Sequence, residues 1–229
     1  MSKVKSFIGL DFITIKPYFT ALNLCLYAAT TCFLSIMAGS VESGVMIGVM
    51  YGTIFLGYPF ALGEKGNLDA LYTTLSLEKK TVVAGRYLFT LAMNSCAIAL
   101  SLALSAISIK IGSIIAESAD YGVISSEALW ILITVVAAFI VMQSILLPVY
   151  FKLGYTKARF FSMIPFIAMT TGYVAVSALA KDNDIVSRIF NAVSEMNSAS
   201  LAVIAVIGLL LLVYISYSLS LSFYKKREF

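Results

Sequence analysis

Histidine is absent from all 229 residues. Without an imidazole there is no His-ligated zinc, no Ser-His-Asp or Cys-His nucleophile and no histidine proton relay. Charge is scarce as well: Asp, Glu, Lys and Arg make up 12% of the chain, whereas 60% is hydrophobic. A water-facing surface carries about 25–35% charged residues, so this composition does not build a soluble globule. No G-x-x-x-x-G-K-[ST] sequence occurs, so the chain does not itself cradle ATP phosphates. The three cysteines, Cys25, Cys32 and Cys96, all fall in apolar sequence. They are expected to be small buried apolar residues rather than a disulfide or metal set. The first apolar run, residues 7–15, is interrupted by Asp11 and has no A-x-A site after it, so no cleaved signal peptide is expected. Low-complexity segments and internal repeats are not evident.

What the chain does have is length without charge. Six stretches, residues 17–38, 44–62, 82–109, 128–151, 160–180 and 199–223, are almost free of ionisable groups. At a rise of about 1.5 Å per residue, some 20 apolar residues cross a bilayer. The expected fold is therefore an all-α membrane protein of six transmembrane helices in a single domain. Residues 1–16 are expected to form an interfacial connecting helix, 64–80 a cytoplasmic coupling region and 181–198 an outer loop. The gaps between spans alternate in sign. One set holds Lys3, Lys5, Lys16, Lys65, Lys79, Lys80, Arg86, Lys152, Lys157, Arg159, Lys225, Lys226 and Arg227 against five acids, a net of +8. The other holds Lys110, Lys181 and Arg188 against seven acids, a net of −4, and together they make the chain's +4. Lys/Arg excess marks the cytoplasmic side, which places both termini and the 63–81 and 152–159 gaps inside. The basic balance then reflects topology beside anionic headgroups and implies no nucleic acid. Arg86 and Lys110 sit at the ends of the third span and are expected to snorkel. With no ionisable group deep in a span, a proton- or sodium-driven carrier is disfavoured.

Two of the basic-side gaps carry patterned sequence. In the first, Leu68, Leu71, Tyr72 and Leu75 recur at i, i+3, i+4 and i+7, one face of a short helix flanked by Glu64, Lys65, Asp69, Glu78, Lys79 and Lys80. Such a helix between two spans is either a lever for a cytosolic partner or a solvated loop lying on headgroups. In the second, Pro148 is placed to kink the end of a span, Gly154 to permit a tight turn, and Lys152, Lys157 and Arg159 to anchor the turn in headgroups or meet a partner.

Both stretches resemble the small bacterial ABC-2-type transporter permeases, membrane subunits of ABC exporters of the peptide, bacteriocin or phenol-soluble-modulin kind. The first matches that family's second-to-third span connection at Glu64, Lys65, Asn67, Leu71, Leu75, Lys79, Lys80, Val82, Val83, Arg86, Tyr87 and Leu88. It departs at Ser76, Leu77 and Glu78, where the family has Pro, Val and Ser. The second matches at Pro148, Phe151, Lys152, Gly154, Lys157 and Arg159. The resemblance implies a type V exporter-like permease in the bacterial plasma membrane, without catalysis, cofactor or metal of its own. It implies two cytosolic ATPase subunits that bind ATP and Mg, and a second permease in a homodimer or close heterodimer. The residues it would assign to ATPase coupling are Glu64, Lys65, Asn67, Leu68, Asp69, Leu71, Tyr72, Leu75, Leu77, Lys79 and Lys80.

Inside the spans, Gly44, Gly48 and Gly52 leave a smooth strip for close helix packing, on a partner helix that the sequence does not identify. Asn94, Ser101, Ser105 and Ser108 share one helical face, and Asn23, Thr30 and Thr31 lie in the first span. Asn23, Thr30, Asn94, Ser101 and Ser105 are candidates for a translocation path, and interhelical hydrogen bonding accounts for such a face equally. Before Pro17, a partial apolar stripe runs through Val4, Ile8, Phe12, Ile15 and Phe19. Tyr18, Tyr87, Tyr150, Tyr155 and Tyr224 lie near span ends, as an interfacial aromatic belt would. The expected function is ATP-driven export of a hydrophobic or amphipathic substrate such as an antimicrobial or cytolytic peptide. The alternatives are the substrate-binding membrane subunit of an energy-coupling-factor vitamin importer and, more distantly, a lipid-modifying enzyme.

Overall fold

The computed structural model describes residues 2–66, 68, 71–72, 77–115, 126–161 and 198–226. Every regular element among them is helical. In chain order these are α1 (Ser2–Ile15), a 3-10 turn (Lys16–Tyr18), α2 (Ala21–Ala38), α3 (Val41–Lys65), α4 (Lys79–Ile115), α5 (Ser126–Leu153), α6 (Tyr155–Phe161) and α7 (Ser198–Lys225). Five of them, α2, α3, α4, α5 and α7, are long and apolar enough to cross a membrane. They coincide with five of the six expected spans. The remaining one, 160–180, begins in α6 and otherwise lies outside the described residues, as does most of the 181–198 loop.

Local chemistry sets the boundaries. Pro17 sits in the 3-10 turn, where its missing N–H costs nothing. Thr20 then caps α2, its hydroxyl accepting from the Asn23 N–H at 3.3 Å. At the other end Gly39 takes a left-handed φ of 61° and stops the helix. Only Gly39 and Ser40 separate α2 from α3, so the two form an antiparallel hairpin. Gly154, at φ 74°, makes the corresponding break between α5 and α6. At 37 residues α4 is about 55 Å long, well beyond a hydrocarbon core of about 30 Å.

That long helix is the centre of the bundle. α1, α2, α3 and α7 all pack on it, while α5 packs on α3 and α7. Close approach of α3 and α4 comes from the glycine strip meeting the polar face. A Cβ added at Gly44 would collide with the Ser105 and Ser35 hydroxyls, one at Gly48 with the Ser101 side chain, and one at Gly52 would stand 2.6 Å from the Asn94 Oδ1. The strip's partner is thus a helix of the same chain. Hydrogen bonds tie the layer together: Ser35 Oγ donates to Ser105 Oγ at 2.9 Å and Tyr27 OH to the Ala97 carbonyl at 2.9 Å. Deeper in, the Asn94 and Gln143 amides bond each other reciprocally at 2.5 and 3.1 Å, and Gln143 Nε2 also donates to Thr53 Oγ1 at 3.0 Å.

A second device compensates for a proline. Pro148 lies inside α5 and has no N–H for the carbonyl four residues back, that of Ser144. Ser216 of α7 donates to that carbonyl at 2.6 Å. The Tyr87 hydroxyl joins Ser216 at 2.6 Å and Ser220 at 2.8 Å, so one orphaned carbonyl links α4, α5 and α7. The cysteines depart from expectation. Cys25 and Cys96 are exposed on the outside of the bundle and all three are free thiols, because the inward positions of α2 and α4 are taken by Tyr27, Thr31, Ser35, Ser101 and Ser105.

Gly48→Ala should lower the thermal stability of the purified protein in detergent by about 1–3 kcal/mol, the usual cost of overpacking. Ser101→Gly, which removes the side chain that the new methyl would meet, should recover part of that loss. A stability equal to the unmodified protein's would show that α3 and α4 do not touch at this point.

Candidate functional site

One end of the bundle gathers segments that are distant in sequence around a single guanidinium. Arg86 of α4 is 5% exposed and pairs with Asp11 of α1, 1% exposed, at 3.3 Å. Its Nη2 donates to the Tyr72 hydroxyl at 3.4 Å. Its plane lies over the rings of Phe60, at 4.9 Å, and Phe7, at 5.6 Å. Phe7 meets Tyr72 edge-on at 5.2 Å and fits against Gly85, where an added Cβ would collide with the ring. Burial holds the Asp11 carboxyl at about 6, above its ordinary 3.8, while the Arg86 charge pulls the other way.

α1 is docked by this pair, and the face it buries on the bundle shares only Ile15 with the apolar stripe. Phe7, Asp11 and Ile15, spaced i, i+4 and i+8, are buried, and Phe12 is exposed. An arginine on the facing helix needs a carboxylate, and only this rotation of α1 supplies one. Arg86 accordingly does not snorkel. The sequence carried a signal for this: one acid set in an otherwise apolar helical face, and one arginine inside the third span's apolar run. Tyr150 and Tyr224 likewise depart from the aromatic belt and are buried. Tyr150 stacks on Phe60 at 5.1 Å, and Tyr224 meets Phe151 at 5.4 Å. They fill the space between the ends of α3, α5 and α7.

The two patterned stretches meet here. Glu64 Oε2 accepts the backbone N–H of Thr156, in the first turn of α6, at 2.9 Å. Lys79 Nζ donates to the Lys225 carbonyl at the end of α7, at 3.1 Å. A cavity of about 30 Å³ lies at the junction, lined by Gly63, Glu64, Arg86, Phe151, Gly154 and Tyr155 among others.

Leu68, Leu71 and Tyr72 are helical. Tyr72 is 2% exposed, and Leu68 and Leu77 pack into the same apolar cluster as Phe7, Val82, Val83 and Phe151. Leu71 points away and is 43% exposed, and Lys65 and Lys80 are exposed too. The anticipated single apolar face is therefore divided: Leu68 and Tyr72 seat on this chain, and Leu71 faces outward. Asn67, Asp69 and Leu75 lie outside the described residues. Of the translocation candidates, Ser101 and Ser105 are fully buried against Gly48 and Gly44. Asn23 bonds the Tyr18 carbonyl at 2.8 Å, and Thr30 bonds the Leu26 carbonyl of its own helix at 2.8 Å. Asn94 borders an open cavity between α4, α5 and α7.

A family model described as ABC-2 family transporter protein matches residues 6–225. The chain belongs to the ABC-2 transporter family. No curated protein and no solved structure gave a match. The ABC-2 permease is therefore a multi-pass membrane subunit of an ABC transporter, not itself catalytic, from a family that generally works with ABC ATPase partners. This departs from the vitamin-importer alternative.

Removing one partner of a buried ion pair strands the other, at a cost of about 3–5 kcal/mol. Asp11→Ala or Arg86→Ala should each lower thermal stability on that scale, and Asp11→Leu with Arg86→Met together should cost less than either. Because the folded Asp11 pKa exceeds the unfolded one, the folded state holds the extra proton and stability falls as pH rises from about 4 through 6. In melting curves at pH 5 and pH 7.5, Asp11→Asn should remove that slope. A slope that persists would place the titrating group elsewhere.

Proposed function

We propose that this ABC-2 permease is the membrane subunit of an ATP-driven exporter, working as a pair of identical permeases with two cytosolic ATPases. Its cargo is hydrophobic or amphipathic, in the class of antimicrobial or cytolytic peptides. The supporting observation is the arrangement around Arg86. Leu71 is turned outward while its neighbour Tyr72 is locked to Arg86 and Phe7. An ATPase that grips the outward side moves the inward side with it. Tyr72 carries the motion to α4 and α1, and Glu64 carries it through Thr156 to the α5–α6 turn. ATP-driven closure of the two ATPases then reorients the path between the permeases, an alternating-access transition by rigid-body movement of packed helices.

The charge asymmetry supports six spans, with α1, the 64–80 region, the α5–α6 turn and the end of α7 on the cytoplasmic side. Outer loops small enough to hold no capture domain, and spans that are mostly apolar, fit cargo arriving from the membrane or its surface. In a cysteine-free background, Lys65→Cys and Lys226→Cys should be protected from an impermeant thiol reagent in intact cells, whereas Ser118→Cys and Asn183→Cys should react. Labelling of position 65 from outside would overturn this topology.

The coupling assignment is tested with both subunits expressed together. Leu71→Asp should place a charge in an apolar contact, costing a few kcal/mol (roughly 2–4), and should abolish co-purification of the ATPase. Lys80→Ala, at an exposed position, should change binding by about 0–1 kcal/mol. Tyr72→Ala should leave the ATPase bound and hydrolysing ATP but reduce cargo export. Normal binding and export with Leu71→Asp would remove the lever and, with it, the coupling mechanism.

A further inference from the structure

We infer that the cavity between α4, α5 and α7 is a binding site for one hydrocarbon chain of a membrane lipid. The cavity measures about 450 Å³, within the range of small-molecule sites, about 300–1,000 Å³. Its walls are residues 87–94 of α4, 140–147 of α5 and 206–213 of α7. That is two helical turns of each, or about 10 Å along the axes. Among the described residues that line it, none is charged. Leu91, Ile140, Leu147 and Val213 supply apolar surface, and Leu88, Leu91 and Leu210, all exposed, form its outer rim. On membrane-spanning helices an exposed rim meets hydrocarbon, so lipid chains are the medium that reaches the opening.

The polar groups in the walls argue against water or a headgroup as occupant. Asn94 and Gln143 bond each other and Thr53, the Tyr87 hydroxyl bonds Ser216 and Ser220, and Thr90 bonds the Arg86 carbonyl at 2.8 Å. A buried water requires two to four polar partners, and the bonds named here already hold these groups to one another and to the helices. A charged headgroup would find no counter-charge. An acyl chain needs only apolar surface and replaces a void that would forfeit packing on three helices. The site adjoins the Arg86 junction and the Ser216 link beside Pro148, so a seated chain props α7 at its working distance from α4. The inference requires that the helices span a membrane. It does not require export.

The test uses the full-length permease, without ATPase or cargo, in phosphatidylglycerol and phosphatidylethanolamine vesicles. A fraction of the phosphatidylglycerol carries a diazirine midway along one acyl chain. After irradiation, labelled residues are mapped by mass spectrometry. Leu91, Ile140, Leu147 and Val213 should be labelled several-fold more than lipid-facing controls such as Leu22, Phe33 and Leu211. Val213→Trp, which fills the cavity, should reduce labelling of the other three to the control level, and Leu211→Trp should leave it unchanged. Equal labelling of cavity and control positions in the unmodified protein would overturn the site, and that comparison stands even if Val213→Trp fails to fold. Undiminished labelling in a folded Val213→Trp would overturn it too. So would weak cavity labelling with Val213→Cys cross-linking between copies, which would mean that a second permease fills the cavity. Failure of the export reading would leave the labelling pattern intact.

Discussion

The end of this bundle depends on the buried ion pair between Asp11 and Arg86. A guanidinium removed from water costs several kcal/mol (roughly 3–5) unless an acid and further acceptors or ring faces surround it. Here the acid comes from α1, the hydroxyl from Tyr72 and the ring faces from Phe60 and Phe7. These groups come from three segments, so surrounding one charge ties α1, Tyr72 and the end of α3 to α4. The rotation of α1 follows from the same demand. A helix with Ile8 and Phe12 turned inward would leave Arg86 without its acid.

Within the spans the cohesion is of another kind. Lipid is as apolar as leucine, so helices in a membrane gain little by hiding leucine and associate through close contact and hydrogen bonds. The glycine strip of α3 lets Ser101, Ser105 and Asn94 of α4 approach its backbone. The Asn94–Gln143 amides join α4 to α5, and Ser216 repairs the carbonyl that Pro148 leaves open. Polar side chains that could have lined a path thus serve mostly as fastenings between helices, and the large apolar residues, such as those of α7, face outward.

The two regimes occupy different parts of the bundle. At the junction, aromatic rings, an ion pair and a side-chain-to-backbone hydrogen bond interlock. The cavity between α4, α5 and α7 is bounded by helices whose cross-links lie near its ends and floor, at Ser216 and at Asn94–Gln143.

Hydrophobic length and charge placement are properties of the chain read in one dimension, and by themselves they determined that this protein crosses a membrane and where five of its described helices run. Punctuation was equally local: Pro17, Gly39 and Gly154 act on their own backbone, and each marks a boundary in the structure. The family was legible for the same reason, since its patterned residues lie in two short stretches. What only the tertiary structure decided is pairing. Asp11 and Arg86 are 75 positions apart, and nothing in the spacing of either names the other. Gly48 and Ser101 were legible as a strip and a polar face, but which faces which depends on how α3 and α4 rotate about their axes. Leu71 and Tyr72, adjacent and both apolar enough to be read as one face, were separated because a single hydroxyl reaches the buried arginine and the leucine does not. Periodicity reports which residues share a side of a helix. The choice of what that side meets belongs to the charges and cavities of the neighbouring helices.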